Sequence, residues 1–313
     1  LDAVRVDATV LAFALALALL VALGLGAGAG LRATRAADAG LAVAERAPTA
    51  GAAASRARGV LVGAQVALTT VLLVGAGLLA RSFARLTAVD PGFRTEGAVV
   101  VRLAFPPADD SAVDAHVRRL QAAALERLRA IPGVRHAGSA DDLPLGGFYA
   151  SGTFIEQARP DEIRDMDDFA RLAKDPTRAG QAAYRRVSDG YFEAIGIPLV
   201  RGRLFDARDT PDAPPVAVVS ASLVRAHFGD RDPIGRLVQF GNMDGDVRPM
   251  RIVGVVGDVR EYGLDVPPEP ILYADARQRP TSARFAVVLA GAAPGTPGAG
   301  PFDAAATLAA AGR

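Results

Sequence analysis

The residues best able to do chemistry in this chain are few and scattered. Three aspartates, Asp165, Asp167 and Asp168, crowd one polar stretch (ARPDEIRDMDDFARLAKDPTRAGQ, 158–181), and carboxylates at that density can gather a divalent cation. Their spacing is not that of a calcium-binding loop, so a solvated loop or a short surface helix is expected there instead. Asp141-Asp142 precedes Leu143-Pro144. Paired carboxylates can divide acid and base roles, but aspartates at such a point are expected to organise the turn's backbone. The three histidines, His116, His136 and His227, lie far apart with no metal-ligand spacing, and each is read as structural or surface. Gly24, Gly26 and Ala29 in GLGAGAG satisfy a loose dinucleotide pattern. That pattern needs a strand before it and a helix after it, whereas here it ends a long Ala/Leu run and meets arginines. No H-E-x-x-H, G-x-S-x-G or Walker A sequence occurs, and there is no cysteine, which removes disulfides, thiolate ligands and thiol nucleophiles. We therefore assign no catalytic, cofactor-binding or metal-binding residue, expect no cofactor, and read the chain as a non-enzyme.

The elements that carry these residues fall into two kinds. Half of the 313 residues are hydrophobic, aromatics are only 6%, and the net charge is +1, so no global field invites nucleic acid. The apolar residues crowd into the first part of the chain. No charge occurs from Ala8 to Leu31, nor from Gly59 to Ala80, and each run is long enough to cross a hydrocarbon layer of ~30 Å as a helix. A signal peptide is the alternative for the first run, but Asp2 and Asp7 spoil the basic start it would need. In the second span Thr69 and Thr70 can bond back to carbonyls one turn earlier, and the Gln65 amide favours a partner helix over lipid.

The connection 32–58 carries Arg32, Arg35, Arg46, Arg56 and Arg58 against Asp38 and Glu45. The positive-inside rule places it in the cytoplasm, and its Ala/Gly/Pro content (APTAGAAAS) suggests a linker without a fold of its own. The expected layout is a transmembrane helix in 1–31, a cytoplasmic linker at 32–58, a transmembrane helix with a stalk at 59–88, and an extracytoplasmic domain at 89–313. Cysteines placed at Ala53 and Ser222 are expected to report opposite sides of the membrane.

The outer part reads as α+β. GAVVVRLAF (97–105) is a strand, followed by a helix to about Ile131 with apolar residues three and four apart, stopped by Pro132-Gly133, and by a strand over 134–140. This is a β–α–β unit. PPVAVVS (214–220) is a strand, Ser220 or Ser222 caps a short helix ending near Phe228, MRIVGVVGDVR (250–260) is a strand with an extension, RFAVVLAG (284–291) is a strand, and 301–313 begins a helix.

VDPGF (89–93), IPGV (131–134), DDLPLGG (141–147), SDGYFEAIGIPLVRGRLF (188–205), DPIGR (232–236) and IVGVVGDVREYGLD (252–265) together resemble an FtsX-like permease repeat of the ABC-transporter superfamily and its MacB-like periplasmic core domain. The resemblance covers most of 58–275. It implies a β-α-β porter-like part with an inserted, mainly β part, an inner-membrane location, and a first span that ends a preceding repeat. It implies as partners a separate ABC-type ATPase, membrane lipids and a second permease half, with no nucleic acid. It also implies a function: ATP-driven motion in the cytoplasm is passed to the outer domain to export a substrate. The acidic stretch 158–181 and PGTPGAGP (294–301) depart from the family. A regulator of a cell-wall hydrolase, a membrane-anchored sensor or binding domain, and a soluble enzyme are the other readings.

Overall fold

The computed structural model describes residues 48–94, 97–104, 113–146, 150–241, 246, 248–279 and 284–291. The first expected span, most of the connection after it and the helix expected at 301–313 lie outside the described residues. The chain divides into two compact units that meet at Arg85/Leu86.

The first unit is described by one helix, α1 (Pro48–Thr87). Its 40 residues extend about 60 Å at ~1.5 Å per residue, and the uncharged run Gly59–Ala80 alone covers about 33 Å, the thickness of a hydrocarbon core. Within Arg58–Thr87 an 18-residue window has a mean hydropathy of 2.0, and none of it is buried. Leu79, for example, is 74% exposed. A soluble protein would hide such a helix, so this one needs lipid or other helices around it. The hydroxyls behave as the sequence suggests: Thr69 Oγ1 donates to the Gln65 carbonyl and Thr70 Oγ1 to that of Val66, both at 2.8 Å. The boundary does not. Residues 48–58, expected as unstructured linker, are helical. Proline is at home in a helix's first turn, where its missing N–H has no partner to lose, and the alanines that follow are the strongest helix formers.

The second unit holds ten described strands: β1 (Ala98–Ala104), β2 (His136–Ala140), β3 (Ser151–Gln157), β4 (Ala179–Val187), β5 (Leu199–Gly202), β6 (Val216–Ser220), β7 (Leu237–Phe240), β8 (Met250–Val256), β9 (Ile271–Asp275) and β10 (Arg284–Ala290). Between them lie α2 (Val113–Arg129), α3 (Met166–Leu172), α4 (Tyr191–Ile195) and α5 (Ala221–Leu223), the last running into a π-helical turn over Val224–Phe228. The expected β–α–β unit is present but split. β1 and β2 flank β10, antiparallel to both, so they run parallel with a third strand between them. Val99, Leu125, Leu128, Ala137, Val287 and Leu289 make the core under α2.

Strands β3 to β9 are inserted between β2 and β10. They are joined to the split unit through one residue pair, Ala140 with Val187. Within the insert β4 pairs with β3, β3 with β7, β7 with β8, β8 with β6, β6 with β9, and β9 returns to β4 in parallel. The six strands thus close on themselves. Closure removes the exposed edges that an open sheet would present. Phe154, Tyr184, Val219, Val238, Ile252 and Leu272, one from each strand, fill the interior together with Leu223 and Phe228 from the α5 turn. Ala183 and Val187 of β4, Val218 of β6, Val256 of β8, and Ile271 and Tyr273 of β9 pack with Tyr191 and Phe192 of α4 in a second core. Five strands were not evident from sequence: β3, β4, β5, β7 and β9. The expected cap is in place: Ser220 Oγ accepts from the Leu223 amide at 3.2 Å, and Gly229 ends the turn at φ +58°. Beyond β8, residues 257–260 form no second strand.

Candidate functional site

The motifs singled out in the sequence turn out to be joints. VDPGF lies immediately beyond α1 and is pinned at several points within the head. The Gly92 amide donates to Asp90 Oδ1 at 2.8 Å, the Arg260 amide to the Pro91 carbonyl at 3.0 Å, and the Arg94 amide to the Ile195 carbonyl at 2.7 Å. Gly92 sits at φ +82°, and a Cβ there would fall 2.0 Å from the Asp258 carbonyl oxygen. SDGYFEAIGIPLVRGRLF forms α4 between two left-handed glycines, Gly190 and Gly196, with Tyr191 and Phe192 buried. Arg129 of α2 grips the turn before it, donating from Nη2 to the carbonyls of Asp189 (2.8 Å) and Ala137 (3.1 Å). In DPIGR, Asp232 Oδ1 accepts from the Ile234 amide at 3.0 Å, and the Gly235 amide reaches the Ile252 carbonyl at 2.8 Å.

The candidate chemical residues are taken up in structure. Asp165 caps α3, its Oδ1 accepting from the Asp168 amide at 2.9 Å. Asp168 is held by Arg164 (3.1 Å) and Arg171 (2.6 Å), and these hydrogen bonds, Arg171 first, draw its carboxyl down to about 2. Asp167 lies exposed on the same helix. Asp141 and Asp142 bond to the amides just after them (3.0 and 2.9 Å), as turn chemistry requires. Burial pushes the Asp141 carboxyl up, against the pull of Arg186 and Arg185. His136 is exposed on β2 and His116 lies on α2. His227 is different: its side chain is 7% exposed and its Nε2 stands 3.5 Å from Glu156 Oε2. Among the described residues no group of three or more His, Asp or Glu could hold a metal ion.

His227 marks a cleft that sequence reasoning missed. It has a volume of about 750 Å³ and is lined by the end of β3, the loop before β4, the α5 turn and the start of β7. At its centre Glu156 receives Arg236 Nη1 at 2.7 Å and Arg231 Nη1 at 2.9 Å. On the near wall Arg178 forks onto Glu162 at 2.7 and 2.6 Å. Burial pushes the His227 imidazole below its ordinary value, opposed by Glu156. The contributors come from segments some 20 to 95 residues apart in the chain, and no local spacing could have announced them.

Glu162 gives a direct electrostatic test. The Arg178 hydrogen bonds, only partly offset by burial, lower its carboxyl to about 2 from an ordinary 4.5. A depressed carboxylate stabilises the fold above its unfolded value and loses that contribution as pH falls through the folded one. The wild type should therefore melt above Glu162→Gln at pH 6, with the gap closing as pH falls from 4.5 to 2. A gap independent of pH would show that the fork contributes no linked stability.

A helix long and apolar enough to cross a membrane, followed in the chain by a split β–α–β unit with an inserted strand barrel, defines a class: an α+β domain with a candidate membrane span. Comparison with known proteins gives the family. The profile of the MacB-like periplasmic core domain matches residues 8–296, and this chain belongs to that family. It is part of a MacB-like ABC transporter permease, an inner-membrane protein with an extracytoplasmic domain. Among its relatives, the macrolide export ATP-binding/permease protein MacB 2 of Aeromonas hydrophila is 31% identical over 122 residues, which is 39% of this chain and 16% of that protein. MacB of Agrobacterium fabrum is 34% identical over 110 residues, 35% of this chain and 16% of that protein. The alignments thus span about a sixth of these relatives' length. The crystal structure of the periplasmic region of MacB from Actinobacillus actinomycetemcomitans superposes with a TM-score of 0.40 at 17% identity, covering 68% of this chain and 82% of that one.

Proposed function

We propose that this chain carries motion made by a separate cytoplasmic ATPase to the head outside the membrane, and that the head drives export of a substrate. The carrying observation is α1. It runs without a break from Pro48 to Thr87, and the residues just beyond it, 90–94, are tied by backbone and side-chain bonds into the head. A push on a helix is transmitted only if neither it nor its attachment yields. α1 has no proline after Pro48 and no flexible linker before Asp90-Pro91.

In this reading 32–58 lie in the cytoplasm and 89–313 outside, the span in 1–31 closes a preceding permease repeat, and membrane lipids and a second permease half are the further partners. Macrolides, named in the relatives, are the first cargo to assay. Control of a cell-wall hydrolase is the competing role for the same motion.

Two experiments test it. A Gly-Ser segment inserted after Phe83 in the full transporter should leave ATP hydrolysis running while export falls to background; unchanged export would reject the lever. Topology is tested with single cysteines in this cysteine-free chain. Ser222 is a poor reporter, since it is 6% exposed, its amide donates to Asp258 and its hydroxyl to the Glu269 carbonyl. Asp230, exposed just after the α5 turn, replaces it. An impermeant thiol reagent applied to intact spheroplasts should label Asp230→Cys and spare Ala53→Cys. The reverse pattern would invert the orientation.

A further inference from the structure

The cleft on the strand barrel carries more positive charge and more unspent hydrogen-bonding capacity than its own structure uses. Four guanidiniums line it, those of Arg178, Arg231, Arg236 and Arg251. They meet two carboxylates, Glu156 and Glu162, and Asp175 acts on Arg178 from beside Thr177, so positive charge remains in excess. Arg251 is exposed and gives one N–H to the Gly235 carbonyl at 3.1 Å, and among the described residues no carboxylate pairs with it. Each guanidinium has five N–H donors. Arg231 and Arg236 spend theirs on Glu156 and on two carbonyls, of His227 and Asp232, so donors remain at the opening.

A second observation is independent of charge. Gln157, on the same wall, is 4% exposed, and both ends of its amide, Nε2 and Oε1, lack a hydrogen-bond partner among the described residues. A buried amide left unsatisfied costs about 1–3 kcal/mol. Native structures keep such groups where a ligand or water completes them. The His227 imidazole stands 3.5 Å from Glu156, and its Nε2 has no hydrogen-bond partner among the described residues.

We propose that this cleft binds the phosphate monoester of a small molecule or lipid headgroup. Guanidinium forks match phosphate oxygens pairwise. A phosphate monoester carries nearly two negative charges at neutral pH and three acceptor oxygens, and so can engage more of the free guanidinium donors than a single carboxylate. Glu156 holds Arg231 and Arg236 in place, Arg251 supplies the uncommitted charge, and the Gln157 amide donates from within. The volume of about 750 Å³ lies within the range of ligand pockets and leaves room for the group that bears the phosphate. The site is a property of the head and does not depend on the transport reading.

The test is calorimetric titration of the full chain in detergent with glycerol 3-phosphate, dihexanoyl phosphatidic acid and succinate. Saturable binding of the phosphates, tighter than succinate, is expected. Arg251→Ala should weaken it about tenfold. Gln157→Leu, which removes a buried unsatisfied amide and so should raise Tm, should weaken it severalfold. Phosphatidic acid binding well above glycerol 3-phosphate would identify a lipid source, and equal affinities a soluble one; either supports the site. Absence of saturable phosphate binding, preference for succinate, or unchanged affinity in both variants would overturn the assignment.

Discussion

Arg185→Met is expected to cost the head about 3–5 kcal/mol, while Arg185→Met combined with Glu261→Met recovers most of the loss. The two side chains are 2% and 1% exposed and meet at 2.9 Å. Arg185 is on β4, between the second-core residues Ala183 and Val187, Glu261 lies in the segment after β8, and both act electrostatically on the buried Tyr191 and Tyr273. Removing the cation alone strands a carboxylate in an apolar site next to Asp141, which already stands above the usual range through burial. Removing both leaves space that two methionines of similar volume can fill. Total stabilities run to about 5–15 kcal/mol, so the single variant should show a large fall in urea midpoint and the double one only a small fall.

The single variant also has a pH signature. Burial holds the Glu261 carboxyl above its ordinary value even with Arg185 present, and loss of the guanidinium raises it further. A raised folded value means stability is fully present below the unfolded value of about 4.3 and is lost as pH rises through the folded one. The deficit of Arg185→Met should accordingly be small at pH 4 and grow toward pH 8. A deficit of equal size at every pH would mean that lost packing, not the stranded charge, sets the cost.

The parts of this structure legible in the sequence are those whose signal is local. The membrane-length run, the back-bonded Thr69 and Thr70, the amphipathic α2, the valine-rich β1, β6 and β10 and the Ser220 cap each declare themselves within a few residues. What stayed hidden depends on distant partners. β4 begins at Ala179, but AGQAA carries no strand signal of its own; it becomes a strand because β3 and β9 bond to it on either side. β7 and β9 are four and five residues long, too short for alternation to show. The closure of the barrel rests on the parallel pairing of residues 183–187 with 271–275, which no periodicity encodes. The start of α1 was obscured for a different reason: alanine and glycine near a proline resemble a linker in composition, yet alanine is also the best helix former. The arginine cleft was invisible because each of its residues alone is an ordinary surface charge.

Gly138→Ala should be a severely damaging single-methyl change in the head. Gly138 lies in the middle of β2, opposite Val288 of β10, where α4 rests on the sheet. A Cβ placed there would fall 2.3 Å from both the Cα and the amide nitrogen of Tyr191. Those are backbone atoms, so no rotamer change relieves the clash. Either α4 lifts or β2 bends, and both are tied down. Gly190 precedes Tyr191 at φ +78° with its own Cβ position 2.7 Å from the Ala137 carbonyl, and the Ser188 amide donates to the Ser139 carbonyl at 2.9 Å. Overpacking a core ordinarily costs about 1–3 kcal/mol. Here the displaced helix carries Tyr191, Phe192, Ala194 and Ile195, all buried, so the cost should reach or exceed the top of that range. Gly63→Ala in α1 is the matched comparison: nothing lies within 4 Å of its Cβ position, and alanine favours a helix over glycine by roughly 1 kcal/mol. The same methyl group should thus sharply lower the urea midpoint at residue 138 and leave it unchanged at residue 63. Because β2 is also the strand that joins the split unit to the barrel through Ala140 and Val187, limited proteolysis of Gly138→Ala should first cut near this joint. Cleavage no faster than in wild type would show that α4 tolerates the shift and that the close approach is incidental.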